Sequence, residues 1–529
     1  SPSGEQVAFS WNGESQDNFD IYVRVVGAEG TVRLTDDPAF DWAPTWSPDG
    51  SEILFYRYWP EGRFAVIAVP SLPGRERTIQ EYPFPPGMPN DFLFVLRPAL
   101  SRDGTWAAST GESGLLLTRR DSGEMQTIAD VAGGAETFPS FSPDGRSLAF
   151  VSWRTGGVDA DLYVLRLTED NQADGEPERL TSGMRLAHSP VWTPDGREII
   201  FSAATEADQA LWRVAASGAS EARRLPIVGS GAWSPTISSD GQRLVYEQRT
   251  LRSSLWRVAI ASDDAGDRAP EKITSSTRGD AWPAYSPDGT KIAFSSNRSG
   301  SLEVWMADAD GSASVKLTSL GQFSVGPEWS PDGRWIVFHS SGETGSDLYA
   351  VSAAGGQLRR LTDSPEDELQ PSWSTDGEWI YFMSSRSGTK QIWRMPAEGG
   401  EAVQVTRDGG EFARVSPDGS TLYFTRGIYG SLELWRATVT GEGATRVDAP
   451  PIYDWGFAIV GERLYFTTPP QGGAYPVLAL DVSSGETEEV ARLGFTPFPR
   501  LSASPDGKWL VYYREEQSNS DLMLVDNFR

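Results

Sequence analysis

A turn of four residues, Ser-Pro-Asp-Gly, followed at once by a short apolar strand, recurs from one end of this sequence to the other. In Ser286-Pro287-Asp288-Gly289 the proline presets φ, and Asp-Gly supplies the side-chain cap and the φ > 0 residue that a tight turn needs. Ile292 and Phe294 then alternate with smaller neighbours, as in a half-buried strand. The same four residues begin at Ser47, Ser142, Ser330, Ser416 and Ser504, with Thr193 opening a close variant. Looser copies begin at Ser1, Ser101, Ser238 and Ser374, and a degenerate one near Ala458 keeps Gly461 and the strand Leu464-Tyr465-Phe466. That makes about twelve units at a spacing of roughly 41–54 residues, a period that marks a propeller or another repeat array.

Each unit has one grammar. In residues 323–362, Phe323 to Trp329 reads as a first strand, Trp335 to His339 as a second, Asp347 to Val351 as a third and Leu358 to Thr362 as a fourth, with polar or glycine turns between. Four short strands per unit, separated by such turns, describe a propeller blade. The third strand returns as Asp20-Ile21-Tyr22-Val23, Asp161-Leu162-Tyr163-Val164 and Leu255-Trp256-Arg257-Val258. The fourth returns as Arg33-Leu34-Thr35, Arg179-Leu180-Thr181 and Arg360-Leu361-Thr362. Many of the 20 tryptophans fall in the third strand or just before the turn, where they are expected to pack adjacent blades, ligand stacking being the other reading. Helical periodicity is nearly absent, and 36 prolines and 54 glycines are spread too evenly for long helices. Tyr82 to Pro98, with four more prolines between, reads as a longer loop on a propeller face. The first unit holds only a stub of its first strand, so residues preceding Ser1 are expected to complete it. The last unit ends in its third strand, Asp521 to Val525, with no fourth.

Composition narrows the classes of function. The chain has 529 residues and a net charge of −27, which disfavours nucleic acid and anionic membranes as partners. There is no cysteine, so neither disulfide nor thiolate chemistry is available. No apolar run approaches the ~18 residues that a membrane span needs.

The order Ser-Pro-Asp-Gly, Ile-Ala-Phe-type strand, Asp-Ile-Tyr-Val, Arg-Leu-Thr resembles the TolB-like (WD40-like) β-propeller repeat over essentially the whole chain. The resemblance implies an all-β fold of tandem propellers with four-stranded blades, arranged as two six-bladed rings, 1–274 and 275–529, with the cut between Thr274 and Trp282. A seven-plus-five division and one large ring also fit the sequence. Repeats of this type occur in partner-binding TolB, in gating propellers of prolyl-oligopeptidase-like and tricorn-like peptidases, in oligogalacturonate lyases and in the extracytoplasmic ends of membrane-anchored bacterial regulators. The long array looks most like the last group. This implies a non-catalytic protein-binding or ligand-sensing scaffold in the periplasm or outside the cell, tethered, if at all, through residues outside this sequence. The alternative is an accessory or substrate-gating propeller of a hydrolase, peptidase or lyase-like enzyme.

The residues themselves favour the non-enzymatic expectation. No Gly-x-Ser-x-Gly elbow occurs, and Gly111-Glu112-Ser113-Gly114 reads as a turn. The two histidines are too few for a multi-histidine metal site: His339 lies in a strand, and His188, just before Pro190, could face a channel. A recurrent carboxylate stands six residues before the turn serine, at Asp41, Glu136, Asp280 and Glu368, with Asp454 at the matching place in the degenerate unit. Each precedes an innermost strand, so the five are expected to gather at channel mouths and to bind a protein partner or small ligand there. Clustered carboxylates are hard oxygen donors, so Asp280 and Glu368 are candidate Ca²⁺ ligands. The other reading is a solvated acidic rim.

Overall fold

The repeated turn closes the same way in blade after blade. The computed structural model describes residues 1–529 except 14–17, 60–62, 84–96, 112–113, 132–133, 155–159, 183, 205–208, 229–230, 261–268, 277, 342–344, 429–430, 454–455, 472–473, 495–499 and 529. The loop expected at Tyr82 to Pro98 therefore lies mostly outside the described residues. At Ser286 the hydroxyl donates to Asp288 Oδ1 (2.6 Å) and accepts from the Lys291 N–H (2.9 Å), while Asp288 Oδ1 also accepts from the Thr290 N–H (3.0 Å). Gly289 donates to the Ser286 carbonyl (2.9 Å) at φ +71°, the left-handed region that favours glycine. In the copies at Asp49 and Asp418, donated hydrogen bonds from Ser47 and Ser416 hold the carboxyl down at about 2.

The turns also tile. A Cβ on Gly333 would stand 4.0 Å from Pro287, and one on Gly377 3.7 Å from Pro331, so these two turns rest on the proline of the blade before. Gly289 rests in the same way on Pro505 of the last turn, at 3.4 Å. In the N-terminal half Gly50 meets Pro2, Gly104 meets Pro48 and Gly241 meets Pro194, and Gly4 faces Ser238. The motif is thus both a chain reversal and a contact between neighbouring blades.

Among the described residues there is no helix, and nine sheets have four strands each. Each of the nine follows chain order across the sheet, as in Asp280–Tyr285, Lys291–Ser296, Glu303–Asp308 and Val315–Lys316. The fold is the all-β propeller type that the sequence predicts. Second strands are apolar on both faces because a neighbouring blade covers each. Phe55, Phe150, Phe201, Phe294, Phe338, Phe382 and Phe424, all eight residues after the residue that opens the turn, are fully buried. Phe338 packs with Ala293 and Val304 of the preceding blade, and Phe55 with Ile21 and Val23. Truncating such a phenylalanine costs about 3–5 kcal/mol.

The chain divides into two units, Ser1–Arg249 with Ser520–Arg529, and Thr250–Asn519. The sequence suggested 1–274 and 275–529, and the difference lies in two long strands that continue past the place where other blades turn. Between second and third strands, several blades carry a glycine turn such as Ser299-Gly300 or Ser387-Gly388. Residues 248–254 and 514–520 hold neither glycine nor proline. Through both segments the chain continues as two long strands, Arg243–Ala259 and Trp509–Asp526. Each serves unit 1 with one part and unit 2 with the other. In unit 1, Arg243–Ala259 pairs with Ala232–Ile237 (Ile237 opposite Leu244), and Phe528 N–H donates to the Gln242 carbonyl (2.9 Å). In unit 2, its later part pairs with Glu271–Lys272 (Trp256 opposite Lys272), and Ile260 N–H donates to the Lys508 carbonyl (2.9 Å). Val258, Ile260, Leu510 and Tyr512 share one apolar cluster there. Leu255 to Val258, which the repeat assigns to the blade opening at Ser238, thus belongs to unit 2, and Asp521 to Val525 belongs to unit 1.

Candidate functional site

The recurrent carboxylates come first, since sequence spacing singled them out. Asp41, Asp280 and Glu368 are fully buried and Glu136 is 1% exposed. Each lies on an innermost strand opposite the end of the second strand: Asp41 opposite Arg57, Glu136 opposite Ser152, Asp280 opposite Ser296, Glu368 opposite Ser384. Arg298 donates to both oxygens of Asp280 at 2.7 Å, and Ser296 donates to Oδ1 at 2.6 Å. Arg57 holds Asp41 by two bonds of 2.7 Å, and Arg386 pairs with Glu368. Glu136 accepts from the Val131 N–H (3.2 Å) and the Ser152 hydroxyl (3.1 Å), and burial pushes its carboxyl above the ordinary range. The arginines lie over aromatic rings, Arg298 over Phe294 and Trp305, Arg386 over Phe382 and Trp393. The structure therefore gives each of these four carboxylates partners within or beside its own blade. No three His, Cys, Asp or Glu residues among those described gather as a metal site. Asp454 lies outside the described residues.

The histidines are also embedded. His188 is 3% exposed; its Nδ1 stands 3.1 Å from Ser189 Oγ and its Nε2 3.1 Å from Gln209 Nε2. Its ring stacks on Trp233 at 4.6 Å. Burial first, and then Arg249, lower its pKa to about 3, so the ring is neutral at physiological pH. His339 is a strand residue, as the sequence suggests, and stands beside Gly326.

A second device recurs on the innermost strands and was not legible from the motif. Ala43, Phe138, Ser189, Ser234, Trp282 and Gln370 have φ between 48° and 56°, each directly before a proline and four residues before the residue that opens the turn. Gly326 fills the same place at φ +68°. The pairing of first and second strands breaks at each of these residues, for example between Ala281 and Ala284 and between Leu369 and Ser372. These are β-bulges: proline cannot donate to the ladder, and the extra residue re-aims the strand. Left-handed backbone at non-glycine residues costs of order 1–3 kcal/mol each and persists where the surroundings over-determine it.

In unit 2 four polar side chains from four blades come together, Glu328 and Gln370 from bulged strands and Arg414 and Arg500 from beside or on unbulged ones. Arg414 pairs with Glu328 and donates from Nε to the Phe457 carbonyl (3.0 Å). Arg500 donates to Gln370 Oε1 (2.8 Å) and reaches Glu328 Oε1 at 3.4 Å. Both guanidinium groups lie over the Phe412 ring, at 5.3 and 5.5 Å. Gly326 makes room: a Cβ there would stand 3.2 Å from both Arg500 Nη1 and His339. Gln370, Phe412 and Arg500 stand four residues before their turn serines, and Glu328 and Arg414 two residues before theirs. In a propeller, innermost strands line the central channel. The set is one in which a carboxylate entering from outside could exchange with Glu328 at an arginine, at an edge that is partly open, since the Arg414 side chain is 23% exposed.

Comparison with known proteins agrees with this architecture. The family model described as "TolB beta propeller domain" matches residues 91–267, 260–343 and 319–450. An uncharacterized protein of Agrobacterium fabrum is 31% identical over 270 residues, 48% of this chain and 83% of that protein. An uncharacterized peptidase of Bacillus subtilis is 30% identical over 161 residues, but the match covers 30% of this chain and only 22% of that protein. Among solved structures, TolB from Acinetobacter baumannii aligns at 17% identity over 50% of this chain and 65% of that one, with a TM-score of 0.36. Repeated turn, four-stranded blades and a family match spanning more than half of the sequence together place the chain in the TolB β-propeller family.

Proposed function

We propose that this chain is a non-catalytic binding scaffold that works outside the cytoplasm and takes a carboxylate-bearing segment of a partner protein at the inner strands of unit 2. The observation that carries the reading is the convergence of Glu328, Gln370, Arg414 and Arg500 from four blades around Phe412. Arginine is a common recognition element for carboxylates, and two of these four side chains are arginines that already face Glu328. The embedded state of His188, neutral and bonded to Ser189 and Gln209, supports a structural rather than a general-base role. The extracytoplasmic setting rests on the resemblance to TolB-like modules of membrane-anchored regulators.

The test uses fluorescent decapeptides of acidic, neutral and basic composition, titrated against the full chain by anisotropy. Acidic peptides are expected to bind, and Arg414→Gln to weaken them by at least tenfold while leaving the thermal midpoint within a few degrees. Equal binding of all three classes, or binding indifferent to Arg414→Gln, overturns the reading. The second reading, a gating propeller of a larger hydrolase, is favoured by the partial match to a peptidase. Turnover of peptide or oligosaccharide substrates by the purified chain would establish catalysis in place of binding.

A further inference from the structure

The ion pairs of the recurrent carboxylates are local, and those of Glu328 are not. Arg57 with Asp41, Arg298 with Asp280 and Arg386 with Glu368 each join the innermost strand of a blade to the end of its own second strand or just beyond. Glu328 has its partners in other blades. The six innermost strands of unit 2 follow in chain order: Asp280–Tyr285, Ser324–Trp329, Glu368–Trp373, Ala413–Val415, Ala458–Val460 and Ser502–Ala503. They close into a circle, because Ala503 shares an apolar cluster with Ala458 and the Ser502 hydroxyl accepts from the Tyr285 N–H at 3.0 Å. Glu328 stands on the second of these strands, Arg414 on the fourth, and Arg500 two residues before the sixth. Arg500 also donates to Gln370 on the third strand, the one opposite it in a circle of six. The bonds therefore cross the space that the innermost strands surround.

That space is filled at this level. Side chains on an open channel are wet, yet the Glu328 side chain is 10% exposed, that of Arg500 8%, and Phe412 1%. The charges do not balance: two guanidinium groups face one carboxylate. Arg414 Nη1 has no acceptor among the described residues, since its Nε goes to the Phe457 carbonyl and its Nη2 to Glu328.

We infer that Glu328 is a built-in competitor for the carboxylate site, closing the middle of unit 2 by occupying from within the chain the arginines that an outside carboxylate would take. The inference rests on the function proposed above and adds the regulation of that same site. A carboxylate arriving at Arg414 either displaces Glu328 or stands close beside it. Like charges that close repel, so by both routes Glu328 opposes the ligand. In the empty site the same residue compensates two guanidinium groups that would otherwise face each other nearly buried and unpaired. Closure and weak binding thus have one cause.

The test titrates the acidic fluorescent decapeptides against the full chain and two variants, read by anisotropy. Glu328→Gln keeps an acceptor oxygen and removes the charge, so affinity is expected to rise at least tenfold, while the thermal midpoint of the peptide-free protein falls. Gln370→Glu places a second resident carboxylate against Arg500 without a change of shape, and is expected to weaken the peptides at least tenfold even if the first variant fails to fold. A residue with only a structural role would not strengthen binding when it is replaced. Unchanged or weaker binding in folded Glu328→Gln, or binding indifferent to Gln370→Glu, overturns this inference. If Arg414→Gln still weakens the peptides, the proposed function stands without it. Peptides that bind neither the wild type nor Glu328→Gln overturn both.

Discussion

The buried pair of Asp280 and Arg298 separates two physical roles for the recurrent carboxylates by the sign of one measurement. A carboxylate held among others for a cation is repelled in the empty protein, so Asp280→Asn would stabilise the cation-free state. A carboxylate that is half of an ion pair does the opposite. Asp280 is fully buried and accepts two bonds of 2.7 Å from Arg298 and one of 2.6 Å from Ser296. Asparagine keeps one acceptor oxygen but turns an amide toward the guanidinium. Breaking a buried pair costs about 3–5 kcal/mol, and the 22% exposure of the Arg298 side chain lets water recover part of it, so about 2–3 kcal/mol is expected. Arg298→Met should cost more, because it strands a charge with less access to water. The double variant should be less destabilised than the sum, by about 1–3 kcal/mol, since neither charge is left alone. The assay is urea denaturation followed by tryptophan fluorescence in the presence of a chelator. A midpoint for Asp280→Asn equal to or above that of the wild type would refute the ion-pair account, and a Ca²⁺-dependent rise lost in the variant would favour the cation account.

Four further outcomes follow from the geometry. Gly311→Ala places a Cβ 1.6 Å from the Ile273 carbonyl oxygen, whereas Gly419→Ala, at a similar φ, meets nothing within 4 Å; the second should cost about 1–2 kcal/mol and the first clearly more, and equal thermal shifts would refute the packing argument. Thr181→Val leaves the Leu162 N–H without its acceptor and should cost about 1–3 kcal/mol in urea, with Thr181→Ser retaining most of the stability. His188, with its folded pKa lowered to about 3, binds fewer protons folded than unfolded between about pH 3 and 6.5, so its contribution to stability is lost as pH falls through that window: about 2 kcal/mol from pH 7 to 5, absent in His188→Gln when each is compared with itself. Removing residues 520–529 should raise protease sensitivity in unit 1 and leave unit 2 resistant, although the deletion is farther in sequence from most of unit 1.

The blade grammar was legible because it is local. Proline, aspartate and glycine at fixed places in a turn, and a phenylalanine eight residues after its first residue, leave few conformations open, and the structure repeats them at Ser47, Ser286 and Ser330 alike. Which third strand serves which blade is not a local property. Leu255 to Val258 and Asp521 to Val525 read as third strands in either unit, and the lack of glycine and proline in 248–254 and 514–520 does not decide it, since Ala204 and Gln209 pair across a segment that lacks both as well. The carboxylate position was found by spacing, but its partner was not. That partner sits two residues past the end of the second strand, 18 residues later, as Arg298 to Asp280 and Arg386 to Glu368, and such a spacing becomes meaningful only once the first and second strands are in register. The Glu328, Gln370, Arg414 and Arg500 set was harder still, because its members stand at two different blade positions and share no motif.

The two long strands impose an order on biosynthesis. Residues 250–519, the whole of unit 2, are synthesised between the last innermost strand of unit 1 and Ser520–Asp526, the third-strand segment of that blade. At 5–20 residues per second, these 270 residues take roughly 15–55 s to emerge from a ribosome. Throughout that interval, the strand beginning at Arg243 waits in unit 1 without Ser520–Asp526 beside it, while an entire second set of blades assembles. Unit 1 therefore gains this strand only after all of unit 2 has been made. During that wait its open blade is the part of the nascent chain most in need of protection from pairing with the wrong strand.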